Sequence, residues 1–107
     1  MEKSRKFYQQ CIKKLLSEYE SLKTEDSHIE LIFDDERMQY MAVWVGWQNQ
    51  RRIHQCAIHI SIRGDQVVIK LNDTEDLVDE ELIAMGIPKD NIYLEIIRPE
   101  VFLYTVK

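Results

Sequence analysis

Leu31-Ile32-Phe33-Asp34-Asp35-Glu36-Arg37, followed by Tyr40, then Val45-Gly46-Trp47 and Arg51-Arg52, decides how this chain is read. Ile29, Leu31 and Phe33 alternate with Glu30 and Ile32, the two-residue period of a strand. Asp34 to Arg37 then reads as a turn, because short acidic side chains accept backbone N–H bonds locally. A second strand is expected from about Met38 to Val45. Tyr40, Ala42 and Trp44 take one of its faces; Met41, Val43 and Val45 take the other. Both faces are apolar, so the strand is either central or meets a second subunit. Gly46 to Gln50 makes the next turn, with Arg51 and Arg52 just beyond it.

Working outward, Arg51–Ile62 reads as the longest strand. Cys56, Ile58, Ile60 and Ile62 alternate with Gln55, Ala57, His59 and Ser61. Arg63-Gly64-Asp65 is a tight hairpin turn. In the fourth strand Val67, Ile69 and Leu71 oppose Val68, Lys70 and Asn72. Toward the N-terminus, Phe7, Cys11, Leu15, Tyr19 and Leu22 fall at helical spacing, widened by Tyr8, Ile12 and Leu16. They predict a core-facing helix from Ser4, as N-cap, to about Leu22. Beyond the strands, Asp73 or Thr74 is expected to cap a second helix with Leu77, Val78, Leu82 and Met85 as its buried stripe. Gly86 and Pro88 end that helix. A strand over residues 92–96, a break at Arg98-Pro99 and a short extended segment from Val101 to Val106 complete the order. Short hairpin turns imply antiparallel pairing. The expected fold is α+β: an antiparallel meander of about five to six strands, with both helices on one face.

The chain has 107 residues, enough for one domain with a core of its own, 45% apolar and 31% charged residues, and a net charge of −5. That balance disfavours broad phosphate-backbone binding. Charge is unevenly spread: residues 1–14 hold Lys3, Arg5, Lys6, Lys13 and Lys14 against Glu2 alone, and residues 73–81 hold six acids and no basic residue. Such a dipolar surface suits self-association or a charged protein partner. The polar start and the lack of a long apolar run point to the cytoplasm. Cys11 and Cys56 sit in apolar patterns and read as buried free thiols.

Little here looks catalytic. By alternation His54 and His59 fall on opposite faces, so they share no metal. His59 reads as a hydrogen-bonded histidine or a partner contact. The one nuclease-like set is Asp34, Asp35 and Glu36 with Lys70, and turn chemistry already explains those acids. Trp47 beside Arg51 and Arg52 could stack a base and hold a phosphate. Alternatively, Arg37, Arg51 and Arg52 pair with Asp34, Asp35 and Glu36. The two turns lie at opposite ends of the second strand, so that pairing requires a bend or, better, another subunit.

Taken together, Leu31-Ile32-Phe33-Asp34, Glu36-Arg37, Tyr40, Val45-Gly46-Trp47, Arg51-Arg52, Cys56, Ile58-His59-Ile60, Ile62, Ile69, Thr74-Glu75, Glu81-Leu82, Gly86-Ile87-Pro88, Ile92, Leu94, Pro99 and Tyr104-Thr105 resemble the XisI family over nearly the whole chain. That family is named for the factor controlling excision of the fdxN DNA element in cyanobacteria. The resemblance implies a non-catalytic accessory role, without cofactor or metal, in programmed DNA excision during heterocyst differentiation. It implies an XisH-like protein partner, a recombinase performing strand exchange, and possible contact with DNA. A homo-oligomer is expected, with Asp34, Glu36, Arg37, Trp47, Arg51, Arg52 and His59 on the working surface. Direct DNA binding, or a small-ligand binder or enzyme with a pocket at His59 and Trp47, are the alternatives. The chain departs from the family pattern at Ser61, Val68, Lys70-Leu71-Asn72 and Phe102. If those positions form one functional site in the family, the resemblance implies that it is altered here.

Overall fold

A computed structural model describes residues 2–95. Helix α1 (Glu2–Ser17) leads into strands β1 (Ser27–Asp34), β2 (Gln39–Gln48), β3 (Arg51–Arg63) and β4 (Gln66–Asn72). Helix α2 (Val78–Ala84), a 3-10 turn (Lys89–Asn91) and strand β5 (Ile92–Leu94) follow. The sheet order is β1-β2-β3-β4-β5, with four antiparallel strands as the hairpin turns require. The fold is α+β, as the spacing predicts. β5, however, pairs parallel to β4, so the sheet is mixed. Strands joined in parallel need a crossover rather than a hairpin, and α2 supplies it. The expected Val101–Val106 segment, the Arg98-Pro99 break and Phe102 lie outside the described residues.

Both helices pack on one face of the sheet. Tyr8, Cys11, Ile12, Leu15 and Leu16 of α1 and Val78 and Leu82 of α2 are buried in one core with Ile29, Tyr40, Ala42, Ile58, Ile60, Ile62, Val67 and Ile69. Each such aliphatic side chain contributes about 1.5–3 kcal/mol on burial. α1 is shorter than expected: it ends at Ser17, turns run on from it, and Ser4 lies inside it rather than capping it. Phe7 and Leu22, at the margins of the stripe, are exposed.

The N-terminus of α2 also differs. Its N-cap is Leu77, which is exposed, and no side chain caps it. Asn72 and Thr74 fold the acidic stretch into a turn instead. Asn72 Oδ1 accepts from the Thr74 N–H and hydroxyl, and Thr74 Oγ1 accepts from the Asp76 N–H. Such local side-chain bonds compete with helix. The other end follows expectation. Gly86 sits at φ +116°, with Gly86 N–H bonded to Ile83 C=O and Ile87 N–H to Leu82 C=O, the paired bonds of a Schellman end.

Two bulges change which residues share a face. Between Ala42 and Val43 of β2 the register steps from Ile58 to Cys56, leaving Ala57 as the extra residue of β3. Ala57 therefore joins the core, and Cys56 turns to the face opposite the helices. His54 pairs with Val45 and His59 with Met41, so both histidines lie on that open face. This corrects the alternation argument. They are still four positions apart along β2, about 13 Å, too far to share a metal. A second bulge beside His59 sets Leu71 opposite that histidine, on the open face rather than in the core.

Candidate functional site

β2 carries a functional candidate at each end, and its ten residues separate them by about 30 Å. At the first hairpin tip the acids are held by the chain itself. Asp34 Oδ1 accepts the Arg37 N–H at 2.9 Å and the Glu36 N–H at 3.1 Å, and Arg37 Nη1 stands 3.4 Å from Asp34 Oδ2. These bonds, the Arg37 N–H foremost, hold the Asp34 carboxyl below its ordinary range. Asp35 receives Lys13 Nζ of α1 at 2.6 Å and the Tyr40 hydroxyl at 2.8 Å, which lower its pKa in turn. Glu36 and Arg37 are exposed.

At the other end, the hairpin is tighter than expected. Trp47 and Gln48 still belong to β2, and Asn49-Gln50 alone make the turn, at φ 52° and 70°. Positive φ at both positions is the signature of a type I′ turn, whose twist matches that of the strands. Gly46 lies within the strand at φ +136°, where the backbone of Ser27 presses against it. The Trp47 indole is 51% exposed, and the Arg52 guanidinium lies over it, 5.7 Å from the ring centroid. No partner for the Arg51 side chain is found among the described residues. An aromatic face carrying one arginine beside a second is a surface that can take an anion or a carboxylate-bearing partner.

The expected surface is thus two groups. Asp34, Glu36 and Arg37 form one end of β2, with His59 nearby on the open face. Trp47, Arg51 and Arg52 form the other. Acidic and basic tips do not meet within the chain: Arg37 pairs inside its own turn, Asp35 with Lys13, and Arg52 with Trp47. The nuclease-like set does not converge either, because Lys70 Nζ goes to Glu95 at 3.6 Å. Among the described residues, no group of three His, Cys, Asp or Glu side chains is placed to hold a metal ion. No described helix is long and apolar enough to cross a membrane.

His59 Nε2 stands 2.8 Å from Gln39 Oε1, half-buried. Burial, then the Lys70 charge, push its pKa below the ordinary histidine value, while Glu95 pulls the other way. Around it the open face gathers the residues at which the chain departs from the family pattern. Ser61 and Val68 are direct cross-strand partners, and Lys70 is two residues from Val68. Ser61 and Val68 are buried there, on the face opposite the two described helices. Asn72 instead builds the turn before α2.

A cleft missed by sequence reading opens at the Trp47 end. It encloses about 420 Å³ between the Thr24–Ser27 approach to β1 and Trp44, Trp47, Gln48, Asn49, Ile53 and Gln55. His59 does not line it. The cleft was invisible in sequence because residues 24–27 reach the second hairpin only through the β1–β2 register, with the Trp47 N–H bonded to Asp26 C=O at 3.0 Å.

The family model described as XisI protein matches residues 1–106. The crystal structure of a XisI-like protein from Anabaena variabilis is 37% identical, with 91% of each chain covered and a TM-score of 0.82. A second crystal structure, of fdxN element excision controlling factor XisI from the same organism, is 23% identical. It covers 92% of this chain and 97% of its own, with a TM-score of 0.78, and shows a shared fold. No curated protein matches. The family model spans nearly all of the chain and agrees with the α+β architecture, so the chain belongs to the XisI family.

Proposed function

We propose that this protein is a non-catalytic accessory factor in programmed, site-specific DNA excision, acting in the cytoplasm through contacts with an XisH-like protein or a recombinase. The observation that carries this reading is the separation of its polar and aromatic groups to the two ends of β2. Asp34 and Asp35 are committed to the turn and to α1, whereas Trp47, Arg51 and Arg52 stand exposed. Charged tips so far apart suit docking to other chains better than chemistry at one centre. Family membership supports the excision role, and one structural neighbour bears the name of an excision controlling factor.

Self-association is part of the proposal. The open face exposes Ile32 and Leu71, with Met41, Val45 and Cys56 half-buried between them. A second copy would cover that stripe by sheet-on-sheet packing. Co-purification with an XisH-like protein tests the partner reading: a stable complex weakened by Trp47→Ala or Arg52→Ala is expected. Two folded proteins that pass through size exclusion separately would sink it. Light scattering tests the oligomer, and a monomer at all concentrations removes it.

Direct DNA binding is the second reading, favoured by Arg52 stacked on the exposed Trp47 next to Arg51. It predicts a gel shift that weakens with salt and disappears in the double variant Arg51→Ala/Arg52→Ala. No shift at low salt ends that reading.

A further inference from the structure

Among the described strands β1 lies at an edge of the sheet, and the pairing register fixes which of its backbone groups turn outward. The Ile62 N–H bonds Met38 C=O across β2–β3, and the Trp47 N–H bonds Asp26 C=O across β1–β2. Odd-numbered residues of β2 and even-numbered residues of β1 therefore exchange the bonds between those two strands. Odd-numbered residues of β1 face away. Two of their outward groups are taken: Ser27 C=O by the Thr24 N–H at 2.8 Å, and the Ile29 N–H by Leu22 C=O at 3.3 Å. For the outward N–H and C=O of Leu31 and Phe33, no backbone partner is found among the described residues.

Apart from the acids Glu30 and Asp34, nothing along this run blunts the edge. It contains no proline and no lysine, and neither bulge of the sheet falls in it. Ile32 is 50% exposed and Phe33 37% exposed. Edge strands that are meant to stay free usually carry such protections.

We propose that the outer edge of β1, from Glu30 to Asp34, accepts an extended strand from a partner protein, one with basic side chains on either side of an apolar residue. Glu30, Ile32 and Asp34 point to the open face. Residues opposite them on an added antiparallel strand occupy the non-hydrogen-bonded positions, where side chains come closest. An apolar residue then meets Ile32, and basic residues meet Glu30 and Asp34. Both acids already have a partner on their own chain, His28 Nε2 at 3.2 Å from Glu30 Oε2 and Arg37 Nη1 at 3.4 Å from Asp34 Oδ2, and both pairs are exposed enough for an incoming basic residue to join them.

The same geometry disfavours a second copy at this edge. To pair both Leu31 and Phe33, two β1 strands must set Leu31 opposite Phe33 and Ile32 opposite Ile32. That register places Glu30 opposite Asp34 twice, a like-charge contact at the closest positions. Shifting the register one way requires the Ile29 N–H, already bonded to Leu22, and the other way requires Asp35, held by Lys13 and Tyr40. The mode is strand addition, in which main-chain bonds give affinity and alternate side chains give selectivity.

The inference deepens the partner-mediated reading by naming an edge and the chemistry of the segment that docks there, but its test needs no natural partner. Amide hydrogen exchange of the full chain is followed by NMR with a capped synthetic peptide, Lys-Val-Val-Thr-Lys, and its acidic counterpart, Glu-Val-Val-Thr-Glu. In the free protein, the Leu31 and Phe33 amides exchange roughly tenfold or more faster than those of Glu30 and Ile32, which bond β2. The basic peptide slows Leu31 and Phe33, the acidic one does not, and Ile32→Lys removes the effect. Trp47→Ala keeps the response, so failure at the second hairpin and failure at this edge are told apart. Equal effects of the two peptides, or no slowing at millimolar peptide, overturn the proposal. Protection of Leu31 and Phe33 in the free protein also overturns it: if independent of concentration, the chain covers its own edge; if rising with concentration, a second copy does.

Discussion

Lys13 of α1 and Asp35 at the first hairpin tip meet at 2.6 Å, and the other oxygen of Asp35 accepts the hydroxyl of buried Tyr40 at 2.8 Å. One carboxylate thus ties the helix, the turn and the core together. The ion pair is solvent-exposed and contributes little by itself. The Tyr40 bond matters more, because removing its acceptor leaves a buried hydroxyl under-bonded.

Asp35→Ala is therefore expected to cost about 1–2 kcal/mol in urea unfolding, most of it through Tyr40, whereas Lys13→Ala costs less than about 1 kcal/mol. The pKa of Asp35 is lowered in the fold, by Lys13 first and Tyr40 next. Its contribution is then present above the ordinary carboxylate pKa and is lost as pH falls through the lower folded value. Asp35→Asn should flatten the acid limb of the stability profile. An unchanged acid limb would refute this.

At the junction of the helices the sign is opposite. The Tyr19 hydroxyl donates to Asp76 Oδ2 at 2.6 Å, and Glu81 lies near both Asp76 and Glu18. Burial, then those two carboxylates, raise the pKa of Glu81. A raised carboxyl favours the fold only while protonated, so this contribution is complete below the unfolded pKa and disappears as pH rises through the folded value. Glu81→Gln should raise stability near pH 7 by about 0.3–0.5 kcal/mol, with the gain vanishing in acid. Thermal melts at pH 4 and pH 7 check it.

Gly46 should be the least replaceable glycine. An added Cβ would sit 2.6 Å from Ser27 Cα and closer still to Asp26 C=O, at φ +136°. Because both obstacles are backbone, Gly46→Ala should cost more than about 3 kcal/mol or prevent folding. Gly64, at φ +63° with nothing within 4 Å, should tolerate Ala at about 1–2 kcal/mol. Comparable losses at both sites would contradict the structure.

The second hairpin turn can be improved. Gln50 adopts φ 70°, which side chains resist. Gln50→Gly creates the Asn-Gly pair preferred in this turn and should stabilise by about 0.5–1 kcal/mol. A chemical-denaturation midpoint that falls rather than rises would show the turn to be of another kind.

Periodicity and turn chemistry were enough for the helix–four-strand–helix order, the first and third hairpin turns, the Gly86 helix end and the placing of acidic and basic tips at opposite ends of one strand. These are local properties: strand alternation, turn chemistry and the conformational freedom of glycine all act within a few residues. The face assignments of Cys56, Ala57, His54 and Leu71 were decided only in the folded sheet. One extra residue in a strand reverses every side chain beyond it, and a strand apolar on both faces gives no sign of the reversal. The parallel pairing of β5, the turn that displaces the start of α2, the Trp47 cleft and the open edge at Leu31 and Phe33 have the same origin. Each depends on which strand lies beside which, and non-local register is set by the whole core.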